Sequence, residues 1–192
     1  MGNGRGRSTR AAVLQAAGEL IAELGWGRVS TRLVAERAGV RPGVVHYHFA
    51  SQQQLLTEAA TAVLSGFVSQ ALVALSELDD VRSGLAGLVG SLAGLGPGQP
   101  AHLLFTETYL AASRDEAVAA ALSGVLADFR TELTRWLRAG GVPAAEAGDL
   151  AALLGAALDG IALHRVLDPA LPLHRLADLL GRLVPDDQGG AP

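Results

Sequence analysis

The sequence predicts an all-α fold of about nine helices, three short ones followed by a longer helical body. Three observations predict it. Apolar residues recur at helical spacing along nearly the whole chain, alternating β-branched stretches are almost absent, and only eight prolines interrupt 192 residues. Hydrophobic residues make up 49% of the chain, enough for a core and too many for global disorder.

Ser8 or Thr9 is suited to cap a first helix, whose apolar stripe is Val13, Leu14, Ala17, Leu20, Ile21 and Leu24, with Gly25 as its stop. Residues 1–7 before it are expected to be a disordered arm. Ser30 and Thr31 cap a short second helix that turns Val34, Ala35 and Ala38 inward and ends at Gly39. A third starts at Pro42, tolerated there because a first-turn N–H has no intrahelical partner, and runs to about Phe49. Two short helices joined by a tight glycine turn are a helix-turn-helix pattern.

Ser51 is expected to cap a long helix over about 52–78, and another covers about 80–94. The run GLGPGQP, residues 94–100, is the strongest break in the chain. Helices of about 101–113 and 115–139 follow, then GGVP, then helices of about 144–167 and 172–184 split by DPALP. Residues 186–192 are expected to be a disordered tail. The domains are accordingly 1–51 and 52–192.

Composition narrows the function classes. The chain has no cysteine, so disulfides, thiolate metal sites and cysteine nucleophiles are excluded. Charged residues and glycines break the apolar runs, so no membrane span is expected, and the basic N-terminus lacks the apolar run of a signal peptide. The expected location is the cytoplasm. The net charge of -4 conceals a division. Residues 1–50 hold seven Arg against three Glu, whereas 51–192 hold eight Arg against sixteen acids. A basic head on an acidic body suggests that only the head meets a polyanion.

The stretch GVRPGVVHYHF, residues 39–49, concentrates the chemistry. Successive helical residues advance by about 100°, which puts Val45 and Phe49 on one face with His48 beside them, and spreads Gly43, Val44, His46 and Tyr47 over the other. His46 and His48 lie about 200° apart and cannot share an ion from one side. No metal site or cofactor is expected. A catalytic histidine would need a placed partner, and no nucleophile motif such as G-x-S-x-G is present. His48 as part of a small core stays open. That reading leaves His46 and Tyr47 on the far face unexplained. A helix laid in a DNA major groove explains them. Gly43 permits close backbone approach, His46 and Tyr47 can donate to phosphates, and Arg32 and Arg41, each at a helix start, can reach a base edge.

The run STRLVAERAGVRPGVVHYHFASQQQLL resembles the DNA-binding signature of tetracycline-repressor-type (TetR family) transcriptional regulators. Thr31, Val34-Ala35, Ala38-Gly39-Val40, Gly43, Tyr47, His48-Phe49, Ser51 and Leu55 carry the likeness over about residues 8–60, and ELGWGRVS resembles the family's first-helix exit. Three positions depart from the pattern. His46 stands where Tyr is usual, Gln52 where a phosphate-binding Lys is usual, and Arg41 replaces a small polar residue. The resemblance adds Thr31, Pro42, Val44, His48 and Gln52 to the expected DNA contacts.

It also implies a body that binds a small effector and dimerises through its last two helices. For the dimer, Leu150, Leu153, Leu154, Ala157, Leu158 and Ile161 stripe one helix and Leu173, Leu176, Leu180 and Leu183 the other. For the effector, the expected lining is Phe67, Phe105, Glu107, Tyr109, Phe129, Arg130 and Asp159, a mostly uncharged set suited to a hydrophobic or aromatic molecule. The polar members alternatively face solvent, and the aromatics alternatively fill core. The resulting expectation is a ligand-responsive dimeric repressor on palindromic operator DNA. The alternatives are a helical interaction or small-molecule-binding module without DNA binding, and, less favoured, a helical enzyme.

Overall fold

The computed structural model describes residues 2–78, 80–94, 96 and 98–184, with side chains from residue 6 onward. Among the described residues the chain forms nine α-helices and no strand. α1 (Gly2–Leu24), α2 (Thr31–Arg37) and α3 (Pro42–His48) are followed by α4 (Gln52–Ser76) and α5 (Val81–Ser91). α6 (Pro100–Ala112), α7 (Glu116–Ala139), α8 (Ala144–Leu167) and α9 (Leu173–Gly181) complete the chain. Short 3-10 turns at Trp26–Arg28 and Leu92–Gly94 follow α1 and α5.

The caps follow the sequence. Ser30 accepts the Leu33 N–H at 3.3 Å, and Ser51 accepts the Gln54 N–H at 3.0 Å. Asp80 accepts from Ser83 at 2.8 Å, and hydrogen bonds from Ser83, through its side chain first and then its backbone, hold the Asp80 carboxyl below its ordinary pKa. Asp115 accepts the amides of Ala117 and Val118 at the start of α7. α1 departs from expectation, because it is helical from Gly2 and neither Ser8 nor Thr9 begins it. The stretch expected as a disordered arm is helical over its described residues. Propagation from the buried stripe of Val13 to Ile21 adds one hydrogen bond per residue and needs no apolar contact. The expected tail, 186–192, lies outside the described residues.

Contacts group the chain into two compact units. One comprises Met1–Gly66 and Pro100–Val125, the other Phe67–Gln99 and Leu126–Pro192. In the first, α1 packs against α2, α3 and α6, with Val13, Ala17 and Ile21 fully buried. Gly18 lets α1 approach its neighbours, since a Cβ there would stand 3.3 Å from Val63 and 3.7 Å from Leu104. On α6, His102 is buried, its Nε2 lies 3.3 Å from the Thr106 hydroxyl, and burial holds its pKa below the ordinary histidine value.

The core of the second unit joins Leu75, Val81, Leu85, Leu88, Leu133 and Leu137 to Ala147, Ala151 and Val184. Phe129, Leu150 and Leu154 belong to it as well, which corrects three expectations. Phe129 is core filler rather than effector lining, because the stripe it shares with Leu133 and Leu137 is the buried face of α7. Leu150 and Leu154 are covered by their own subunit and cannot be dimer contacts. Leu158 and Leu180 pack partly against the same core, while Ile161, Leu173 and Leu176 are half-buried and Leu183 is exposed.

Two helices bear on the expectation that no segment spans a membrane. α4 and α8 are each long and apolar enough to cross a bilayer by length and composition alone. Charges placed once every few turns do not lower the mean hydropathy of such helices enough to exclude a span, so interruption by charge is too strict a criterion. Packing accounts for part of this apolar surface, through Leu55, Leu56, Ala59 and Ala60 on α4 and Leu150, Ala151 and Leu154 on α8.

Two glycines on α5 separate packing from helix propensity. Gly84 is buried, and a methyl there would overlap the Trp136 indole and stand 3.0 Å from Leu75 Cδ2. Gly90 is exposed, with no described atom within 4 Å of where a Cβ would stand. In urea unfolding, Gly84→Ala is expected to lower stability by about 1–3 kcal/mol, and Gly90→Ala to raise it by about 0.5–1 kcal/mol.

Candidate nucleic-acid interface

α2 and α3 are seven residues each, too short to hold a helix in water unaided. Their joint is therefore decisive. Gly39 takes φ +66, the left-handed conformation that glycine adopts without a Cβ penalty. The Val40 N–H then bonds the Ala35 carbonyl at 2.9 Å and the Gly39 N–H bonds the Glu36 carbonyl at 3.2 Å. These are the two bonds of a Schellman stop, and they satisfy the last carbonyls of α2. Pro42 opens α3 after Arg41, which is extended at φ -73, ψ 144.

The inward side of α3 is sealed. Val45 is 0% exposed and Phe49 2%, beside the buried Val34 and Ala35 of α2. The Arg10 guanidinium lies 5.1 Å from the centre of the Phe49 ring and is ion-paired with Glu58, so α1, α3 and the start of α4 meet at one point. α4 is tied in locally, since Gln54 accepts the Ala50 N–H at 2.9 Å and donates to Glu58 at 2.9 Å.

The outward side is open. Tyr47 is 84% exposed, and His46, Gly43, Pro42, Arg41, Arg32 and Gln52 are exposed around it. Thr31, Val44 and His48 are half-buried at the margin. The His48 ring meets Tyr47 edge-on at 5.1 Å and Phe49 at 6.3 Å, so it bridges the presented face and the anchored one. A methyl on Gly43 would have no described atom within 4 Å, so nothing within the described chain requires glycine there.

Arg37 is a cation of this region committed elsewhere. It donates to both Glu23 carboxylate oxygens at 2.8 and 2.7 Å and lies 3.5 Å from Glu19, tying α2 to α1. The hydrogen bond from Arg37 holds the Glu23 carboxyl below its ordinary pKa, and the same bond raises that of Arg37. Both groups are at the surface, so the tie orients more than it stabilises.

The expected effector residues are divided between the two units. Phe105 and Tyr109, on α6 in the first unit, meet with their rings tilted at 50° and centres 4.7 Å apart. Phe67, Phe129, Arg130 and Asp159 belong to the second, where Phe67 and Arg130 are exposed and Asp159 is half-buried. Glu107, on α6 in the first unit, is half-buried, and its carboxylate accepts the Trp26 backbone N–H at 2.7 Å. One concavity of about 560 Å³ is lined by Thr131, Thr134, Arg135, Arg138 and Ala139, none of them in the expected set. Of the exposed leucines on the last helices, Leu153 belongs to the expected dimer stripe, and Leu163, Leu167 and Leu179 do not. Leu153, Leu163 and Leu167 lie on the face of α8 opposite its buried stripe, and Leu179 lies on α9. α8 is apolar on both faces, so periodicity carries no signal for choosing between them.

Comparison with known proteins agrees with this geometry. Residues 13–59 match the family model described as bacterial regulatory proteins, tetR family, and residues 76–186 match a tetracyclin repressor-like C-terminal domain. An uncharacterized HTH-type transcriptional regulator of Mycobacterium tuberculosis is 28% identical over 171 residues, 86% of each chain. A Streptomyces coelicolor A3(2) protein described as a transcriptional regulator superposes with a TM-score of 0.77 at 29% identity, covering 92% of this chain and 98% of that one. A transcriptional regulator from a Rhodococcus species gives 0.70 at 27% identity, with 91% and 95% covered.

The two sides of α3 should separate under mutation. Phe49→Ala is expected to cost about 3–5 kcal/mol of stability, and Tyr47→Ala less than about 0.5 kcal/mol. Denaturant unfolding followed by circular dichroism measures both, and equal losses would contradict the division into anchored and presented faces.

Proposed function

Because the chain belongs to the TetR family of bacterial regulatory proteins, and is a DNA-binding transcriptional regulator rather than an enzyme, we propose that it is a dimeric, effector-released repressor. Proteins of this family bind operator DNA and dimerise. By role we divide the chain at 51 and 52, with the head reading DNA and the remainder binding effector and partner.

The observation that carries the reading is Tyr47, 84% exposed on a helix whose opposite side is sealed at Val45 and Phe49. An aromatic hydroxyl held on so short and rigid a support suits docking against phosphate oxygens. In this reading His46 and Tyr47 donate to phosphates, and Arg32 and Arg41 reach phosphates or a guanine edge. Gly43 and Pro42 keep the start of α3 close to the backbone of the duplex, with Thr31, Val44, His48 and Gln52 at the margin. Two copies about 34 Å apart would read a palindrome. The proposed location is the cytoplasm, where bacterial operator DNA lies.

For the dimer we assign Leu153, Leu163 and Leu167 of α8, Leu179 of α9 and Leu183 just beyond it, which are exposed in the single chain. Leucine side chains at this exposure are costly in water, Leu167 at 87% most of all, and a second copy would cover them. The effector is proposed as small and mostly apolar, with the Phe105–Tyr109 pair as the aromatic surface assigned to it. It would act by favouring a conformation whose heads no longer match the half-site spacing, by the difference of its affinities for the two states.

A gel shift on duplexes from the protein's own upstream region tests the DNA face. Wild type is expected to shift a palindromic segment, and Tyr47→Ala to weaken that binding at least about tenfold, since a charge-assisted hydrogen bond is lost from each head. An unchanged shift would remove α3 from the interface, and no shift by wild type on any duplex at low salt would favour a module without DNA binding.

Sedimentation tests the dimer face. Leu163→Glu with Leu167→Glu is expected to convert the dimer to a folded monomer, whereas a dimer that persists would place the interface on another surface.

A further inference from the structure

We propose that Glu107 is a positioning residue for DNA binding: from α6 its carboxylate holds the backbone of Trp26 and so sets the angle at which α2 and α3 leave α1. The proposal rests on the reading that α3 is the docking helix.

The chain between α1 and α2 is short, and its own side-chain support comes from Arg28, whose guanidinium donates back to the Leu24 carbonyl and leaves the Trp26 amide to another partner. α1 ends at Leu24, Gly25 turns the backbone with φ 84 and ψ 151, and Trp26–Arg28 makes one 3-10 turn. The Trp26 N–H stands at the start of that turn, where intrahelical partners are missing, and Gly25 has no side chain to cap it. Its acceptor comes instead from Glu107, 81 residues away, at 2.7 Å. A bond from a backbone amide to a carboxylate is charge-assisted and stronger than a neutral one.

Glycine at position 25 is required twice. Its φ is in the left-handed half of the map, and the Glu107 carboxylate occupies the place of a side chain. A Cβ on Gly25 would lie 3.3 Å from Oε2, 3.4 Å from Oε1 and 3.4 Å from Cδ of Glu107. The carboxylate therefore sits over the turn as well as bonding to it.

The consequence runs forward along the chain. The Val29 N–H bonds the Trp26 carbonyl at 3.4 Å, Val29 is buried, and Ser30 is already the cap of α2. Only three residues separate the held amide from that cap, so a rotation of the turn is passed to α2 and, through the Gly39 joint, to α3. α6 is a suitable reference, because it packs along α1 within the same compact unit and touches it independently where Leu104 approaches Gly18. α1 is thereby met by α6 at two places, one apolar and one polar, and the polar one lies at its exit toward the DNA face.

The test uses the full chain with Glu107→Ala and Glu107→Gln, the second keeping an oxygen that can accept the same bond. Operator affinity is measured by gel shift, amide exchange at Trp26 by NMR, and folding by thermal melting. For Glu107→Ala we expect operator binding weakened about tenfold or more, faster exchange of the Trp26 amide, and a melting temperature close to wild type. Glu107→Gln is expected to restore binding to within about threefold of wild type. Wild-type affinity in Glu107→Ala overturns the proposal. So does failure of Glu107→Ala to fold, or an equal loss in both variants that tracks a lowered melting temperature, since each makes Glu107 a stability residue only. Should wild type bind no duplex, the docking reading fails separately. Trp26 exchange then decides the latch alone, and an unchanged rate in Glu107→Ala overturns it.

Discussion

Everything the head can do depends on two side chains of a two-turn helix. Val45 and Phe49 are the inward side of α3, and their burial gives seven residues a fixed conformation that they could not keep in isolation. Once those two are seated, the geometry of a helix directs His46 and Tyr47 away from the protein. The Gly39 stop sets the spacing of α2 and α3, and Arg10, between Phe49 and Glu58, links the seat to α1 and α4. Exposure of Tyr47 is thus a consequence of packing on the other side of the same helix.

The second unit poses a different problem. Its sequence is rich in alanine, leucine and glycine, and α8 in particular is apolar nearly all the way round. Such a helix has two faces to cover. One is covered by its own chain, through Ala147, Leu150, Ala151 and Leu154, and the other carries Leu153, Leu163 and Leu167. A family that dimerises supplies a physical reason for the second face to stay apolar, because leucines unburied in one subunit gain their burial from another.

Local signals were legible in the sequence to within a few residues. Ser30 and Ser51 act as caps, Gly25, Gly39 and Gly141 stop helices with positive φ, and α8 spans the range its pattern indicated. The candidate DNA face was equally readable, because a short helix with two apolar residues four apart has one anchored side. What the pattern left unread shares a cause. Phe129 and Glu107 each stood on a stripe that periodicity could describe, but periodicity says nothing of what lies opposite. The first proved to face a core and the second a backbone amide 81 residues distant. At the N-terminus the helix ran further than its caps implied, since propagation outlasts the apolar pattern that nucleates it.

By itself, then, the sequence determined the helices, the stops and caps at several of their ends, the family likeness and the two sides of α3, because each is set by residues within a few turns of one another. The tertiary structure alone decided which face of α8 lies inside, that Leu150 and Leu154 are core, and that Glu107 supports the turn at Trp26. Those outcomes depend on which surfaces meet when distant segments pack, and a linear pattern of apolar and polar residues does not record its partners.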